Sequence, residues 1–399
     1  MATVPAVHRP LRQSLCWAAL AVAGLAVVLQ ADRLADFKAL GLGDYIAYWS
    51  AGRLNAAGEN PYSPENLLPL QRDLGWAESF PNMMYYPPWT LAVVMPFGLL
   101  PFGVSRLAWL VLHLVLVVVC ADRVWAYYHG PARYRLWVWV LALSFVPTLI
   151  SLRMGQIGPL LLLGIVGFLE LEKRGWDWLA GAALLLAAIK PQLVYLFGLA
   201  VLIWVVDRRR WRVLLGALLA AVLAVTIAWA CNPQVLVQYR YALANPPSGN
   251  ITPTLGALLR LALGEDQTWL QYVPSVLGAG WLPFYWAQHR RTWAWKEQAP
   301  VLLLVSFLTT AYGSWVFDLV VLLVPILQAA AWAFGGSDRR MAWLALVAYL
   351  VIDGLALALN LGEATYPAFI WMTPALLVSY LILRRQRGAS LTPSPALNV

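Results

Sequence analysis

Gly43-Asp44-Tyr45-Ile46-Ala47-Tyr48-Trp49 opens a polar stretch that continues through Asn60-Pro61-Tyr62-Ser63-Pro64 and closes at Tyr85-Tyr86-Pro87-Pro88-Trp89. It lies between an apolar run at 14–31 and a second one beginning at residue 87. A carboxylate set among aromatics and turn residues, between two apolar helices, reads as a site held at a membrane surface. Pro87 and Pro88 fix an extended approach and then start a helix, because proline is tolerated in a first turn. Asp44 is placed to cap a helix over 45–57, whose mixed aromatic and polar faces suit a helix lying flat on the membrane.

The surroundings set the class. Of 399 residues, 61% are hydrophobic and only 12% are charged, where soluble domains carry about 25% charged residues. The 22 Trp and 17 Tyr fit interfacial aromatic belts around many helix ends. This is an all-α polytopic membrane protein, read as a single domain over 1–399. Apolar segments lie near 14–31, 87–100, 103–125, 135–150, 157–171, 178–190, 192–206, 211–231, 268–288, 299–312, 316–334, 341–359 and 367–383. A spanning helix needs about 20 apolar residues, so the shorter runs read as half-helices or re-entrant pieces.

The net charge of +9 invites a nucleic-acid reading, but the basic residues sit in short clusters between apolar runs, and nucleic-acid binding is set aside. Arg9 and Arg12, the group Arg208 to Arg212, His289 to Arg291, Arg339 to Arg340 and Arg384 to Arg387 mark cytoplasmic loops. The intervals 32–86 and 232–267 then become the first and second extracytoplasmic loops, and 388–399 a C-terminal tail. Eight crossings before residue 231 would put 232–267 on the wrong side. Either 87–100 fails to cross, or 178–190 and 192–206 form one helix broken at Lys190-Pro191. Roughly 12 transmembrane helices remain, with both termini cytoplasmic in a cell inner membrane.

Ionisable groups at membrane depth need a reason, since a charge there costs about 2.5–3.5 kcal/mol on insertion scales. Lys190, before Pro191, and Arg153, before Met154-Gly155-Gln156, are cations at helix breaks, suited to an anionic headgroup such as a lipid phosphate. Glu170 and Asp353 read as internally paired or interfacial. His113 and His129 are isolated, and no metal-type spacing surrounds them or Cys16, Cys120 and Cys231; no metal or cofactor is expected. Neither a P-loop, a dinucleotide turn nor a GxSxG elbow is present.

The order of first helix, Gly-Asp-Tyr-x-x-Tyr-Trp, Asn-Pro-Tyr, Tyr-Pro-Pro at the second apolar run, Gly155-Gln156, Lys190-Pro191 and Ser314-Trp315…Asp318-Leu319 resembles the family 87 glycosyltransferases, membrane enzymes of the C-type superfamily. The resemblance extends over most of residues 14–330. It implies a C-type glycosyltransferase fold with a large first outer loop. It further implies a transferase that takes a hexose, typically mannose, from a polyprenyl-phosphate donor to a glycan or glycolipid hydroxyl, with inversion.

Under that resemblance Asp44 is the base on the acceptor hydroxyl. Lys190 and Arg153 hold the donor phosphate, and Tyr45, Tyr48, Trp49, Tyr86, Gln156 and Asp318 line the substrate. Mannosyltransferases of the family often carry a histidine in the Ser-Trp-x-x-x segment; here it is Ser314-Trp315-Val316-Phe317-Asp318, and the sugar stays open. Two other readings compete: a transporter or flippase for a lipid-linked sugar, and a non-catalytic assembly partner. A flippase predicts matching broken repeats, and the sequence shows none.

Overall fold

The computed structural model describes residues 41–244, 252–336 and 339–391. The first apolar segment at 14–31 and the tail beyond 391 lie outside the described residues, as does the middle of the second loop. Every regular element among the described residues is helical. In chain order these are α1 (Tyr45–Ala56), α2 (Pro64–Arg72), α3 (Trp89–Gly98), α4 (Phe102–Tyr127), α5 (Arg135–Ser144), α6 (Val146–Met154) and α7 (Gly158–Lys173). They continue with α8 (Asp177–Ala187), α9 (Tyr195–Arg208), α10 (Trp211–Cys231), α11 (Val235–Ala244), α12 (Leu255–Leu263) and α13 (Val273–His289). The last four are α14 (Trp295–Thr309), α15 (Leu323–Gly335), α16 (Arg339–Leu361) and α17 (Met372–Leu391).

Six described helical stretches are long and apolar enough to cross a membrane: Phe102–Tyr127, Pro191–Arg208, Trp211–Cys231, Val316–Gly335, Arg340–Leu361 and Tyr366–Arg387. The chain is a multi-pass membrane protein. Against the dozen spans expected from hydropathy, the other apolar runs are shorter than the roughly 20 residues a crossing requires: α3 has 10 residues, α8 has 11, α14 has 15 and α7 has 16. The expected span at 14–31 lies outside the described residues, and chain breaks shorten several of the others. The run at 135–150 is two helices bent by 60°, because Phe145 is extended there (ψ 117°) and Pro147 stands in the first turn of α6. Asp353 of α16 stabilises the bend by accepting the Val146 N–H at 2.8 Å, so its buried carboxylate serves structure. If the bent pair counts as one crossing, the described residues hold seven.

Helix α1 departs from the surface helix expected over 45–57. Ten of its 12 residues are buried, because apolar and aromatic side chains occupy its whole circumference. Gly52 lets α3 come close; a Cβ there would meet the Val94 carbonyl oxygen at 2.7 Å. The segment Val316–Gly335 runs through the centre and is almost wholly buried, while α10 turns Leu215, Leu218, Leu219, Val222 and Leu223 outward as a lipid-facing strip.

Candidate active site

Asp44 stands at the N-terminus of α1 but does not cap it. Its own N–H donates to the Met154 carbonyl at 2.9 Å, which turns the side chain toward two amides. Oδ1 accepts from Asn82 Nδ2 at 3.0 Å, and Oδ2 accepts from Gln156 Nε2. A carboxylate held by two neutral donors stays aimed and keeps lone-pair capacity for a third hydrogen. Part of Asp44 remains exposed. Asn82 is itself fixed by Gln71, which donates to its carbonyl at 2.7 Å and accepts its N–H at 2.8 Å.

Gln156 is the junction of the site. It follows Gly155, whose φ of +70° ends α6 in the left-handed region that favours glycine. A Cβ at Gly155 would also meet Tyr45 Cβ at 2.7 Å and Arg106 Nη1 at 2.9 Å. Gln156 Oε1 accepts from the Tyr48 hydroxyl at 2.9 Å and from Lys190 Nζ at 3.4 Å. Those donors leave its Nε2 facing Asp44, so one amide orientation satisfies all three neighbours. Burial raises the Tyr48 phenol well above its ordinary pKa, so it remains a neutral donor at physiological pH.

Lys190 lies at the break after α8, just before the short turn Pro191–Val194. It is 4% exposed and donates at 2.6 Å to Asp318 Oδ1, which is 1% exposed. The rings of Tyr86 and Phe317 lie 5.3 Å from its ammonium. Asp318 Oδ2 also accepts the Trp315 N–H at 3.3 Å. This pairing was not foreseen from sequence. It neutralises Lys190 internally, so direct contact with a phosphate requires the pair to open. Arg153, partly exposed at the end of α6, is a cation nearer the surface of the same region.

The structure therefore brings Asp44, Tyr48, Tyr86, Gln156, Lys190 and Asp318 into one connected network, with Tyr86 joined through the Tyr48 hydroxyl at 3.3 Å. It does not bring Tyr45 and Trp49 there. Tyr45 bonds Ser105, Trp49 Nε1 donates to the Leu100 carbonyl at 3.0 Å, and both are buried. Neither offers a ring face to a substrate.

Sequence reasoning missed Arg106. At 4% exposure it donates to the carbonyls of Leu152 and Arg153 and lies over the Tyr45 ring at 5.4 Å. A cation suits those carbonyls, the negative end of α6. Trp109 Nε1 donates to the Gly155 carbonyl at 2.9 Å. Together they fix the elbow that presents Gln156. Its only sequence signal is an arginine in the first turn of a long apolar run. An apolar cavity of about 140 Å³ between α5, α15, α16 and α17, lined by Leu141, Ala329, Tyr349 and Leu383, contains none of these residues.

The family model for "Glycosyltransferase family 87" matches residues 85–358, well over half of the chain. The chain belongs to glycosyltransferase family 87. It is therefore a transferase, and its membrane setting brings it into contact with lipid, a sugar donor and an acceptor. No curated protein and no solved structure matches it. The matched span carries Tyr86, Arg153, Gln156, Lys190 and Asp318. Asp44 precedes that span, so its link to the family residues rests on its bond to Gln156.

Two predictions arise here. Gln156→Leu deprives Asp44, Tyr48 and Lys190 of a shared partner, and transfer is expected to fall about 100-fold through misplacement of the carboxylate. Steady-state assays of purified protein in lipid vesicles check this. Arg106→Met leaves the α6 carbonyls without their donors, and unfolding in detergent is expected to become easier by about 1–3 kcal/mol.

Proposed function

We propose that the protein transfers a hexose from a polyprenyl-phosphate donor to a hydroxyl of a glycan or glycolipid at the outer face of the cytoplasmic membrane, inverting the anomeric carbon. The observation that carries this reading is the hydrogen bond joining Asp44 to Gln156, and through it to Lys190 and Asp318 of the family region. The Asp44 carboxylate takes the acceptor's hydroxyl proton while that oxygen bonds to the anomeric carbon. The bond from that carbon to the phosphate oxygen breaks, and lipid phosphate leaves with the electron pair. A base must lie within about 3 Å of the proton it removes, and a partly exposed carboxylate gripped by two amides suits that task.

Arg153 and Lys190 are the proposed donor-phosphate cations. Arg153 meets the phosphate directly. Lys190 supplies positive potential from behind Gln156, or contacts the phosphate once Asp318 gives way. Mannose is the first donor to try, because the family resemblance points to it. The absence of histidine from the Ser314-Trp315 segment makes a panel of hexoses necessary.

The test uses membranes containing the overproduced protein and polyprenyl phosphates that bear radiolabelled mannose, glucose or galactose. Transfer of label from at least one donor to a glycolipid or glycan fraction is expected. Absence of transfer from all of them, with nucleotide sugars used instead, would overturn the donor class. Label that crosses the bilayer still attached to its lipid would favour the flippase.

A further inference from the structure

We propose that Trp315 and Tyr366 form the platform for the acceptor's pyranose ring, a subsite formed partly by a segment outside the family match. This rests on the transferase reading above. The aromatic residues expected from the first loop do not fill that role, since Tyr45 and Trp49 are buried and turned away from Asp44. A sugar ring needs an accessible aromatic face beside the base, and the structure offers one elsewhere.

Tyr366 is 37% exposed and Trp315 is partly exposed. Their rings meet edge to face with centroids 4.8 Å apart, and Phe317 backs both, at 6.1 Å from Tyr366 and 6.2 Å from Trp315. The Tyr366 hydroxyl lies 3.7 Å from Met154 Sδ. Met154 is the residue whose carbonyl holds the Asp44 N–H at 2.9 Å, so the platform adjoins the base through one residue. Arg153 directly precedes Met154 at the end of α6.

The backbone supports the same placement. Trp315 follows Gly313 at φ +88° and Ser314 at φ +54°. Ser314 is a non-glycine residue in the left-handed region, a conformation that costs energy and clusters at functional sites. It is kept there by burial and by a bond from its hydroxyl to the Phe307 carbonyl at 3.3 Å. Asp318 holds the Trp315 N–H, so the ion pair behind Gln156 also sets the indole. Trp315 and Tyr366 thus come from two separate helix starts, Val316–Gly335 and Tyr366–Arg387, and converge beside Asp44.

The chemistry fits a sugar. The C–H bonds on one face of a pyranose carry partial positive charge and meet the negative face of an aromatic quadrupole. The ring hydroxyls at the edge then reach Asp44, Arg153 and the Tyr366 hydroxyl. A hexose that stacks on this platform has one hydroxyl delivered to the carboxylate.

The test measures binding without requiring turnover. Full-length protein in nanodiscs is titrated with methyl hexosides of mannose, glucose and galactose, and contact is read by saturation-transfer NMR in the absence of donor. At least one hexoside is expected to bind the wild type and the Asp44→Asn variant. Binding is expected to weaken about tenfold in Tyr366→Ala and to stay within about threefold in Tyr366→Phe, which retains the ring. Trp315→Phe keeps an aromatic face and is expected to lie between them. No binding of any hexoside to wild type, or equal binding by Tyr366→Ala, would overturn the platform. Full transfer activity in Asp44→Asn would instead overturn the base assignment, and hexoside binding could still stand.

Discussion

Asp44→Asn is expected to lower the transfer rate by about 100- to 10,000-fold, the range for loss of a positioned base, while leaving the fold intact. The side chains are nearly isosteric. The carboxylate is partly exposed and does not cap α1, so removing its charge leaves no helix end unsatisfied. The new amide nitrogen meets a donor on whichever side it lies, Gln156 Nε2 or Asn82 Nδ2. Gln156 cannot turn over to relieve this without presenting its own NH₂ to Lys190. The variant therefore loses the proposed base and at most one of the two hydrogen bonds that position it, and unfolding is expected to shift by no more than about 1 kcal/mol. A melting temperature near wild type alongside lost transfer separates chemistry from folding.

The second large effect concerns the ion pair. Lys190→Ala strands the Asp318 carboxylate, 1% exposed, with no cation in contact. Breaking a buried pair from one side costs about 3–5 kcal/mol, because the remaining charge stays desolvated. Asp318→Ala is expected to cost a similar amount and to loosen Trp315 as well, since it removes the acceptor of that N–H. The double variant Lys190→Met with Asp318→Leu is expected to recover most of the stability, as apolar replacement of buried pairs does elsewhere. It is not expected to recover transfer, because Gln156 Oε1 loses its ammonium donor. Unfolding curves in detergent and transfer assays on the same preparations check both statements. A single Lys190→Ala variant as stable as wild type would show that the pair is not a buried charge couple.

The membrane class was legible because it depends on summed composition, which no local contact overrides. Most of the connected network was legible too. Asp44, Tyr48, Tyr86, Gln156, Lys190 and Asp318 fall in short motifs marked by turns, prolines or charges in apolar surroundings. Their linkage was not legible, since the bonds joining them span separations of 108, 112 and 128 residues and follow no periodicity. Asn82 and Arg106 are single polar residues with no motif around them, and only the folded chain gives them partners. The breaks within the apolar runs were hidden for a related reason. Hydropathy registers apolar residues and not breaks, and the bend at Phe145 depends on Asp353, 207 residues beyond Val146. The helix after Asp44 was placed correctly in sequence but wrongly in space, because its approach to α3 depends on Gly52, a residue with no hydropathy signal.

The most direct test of the account is acceptor-dependent release of polyprenyl phosphate from a radiolabelled polyprenyl-phosphate hexose, measured for purified wild-type and Asp44→Asn proteins of matched melting temperature in the same vesicles. Wild type is expected to release polyprenyl phosphate and transfer the sugar, with a loss of at least about 100-fold in the variant. Equal rates in the two proteins would contradict this.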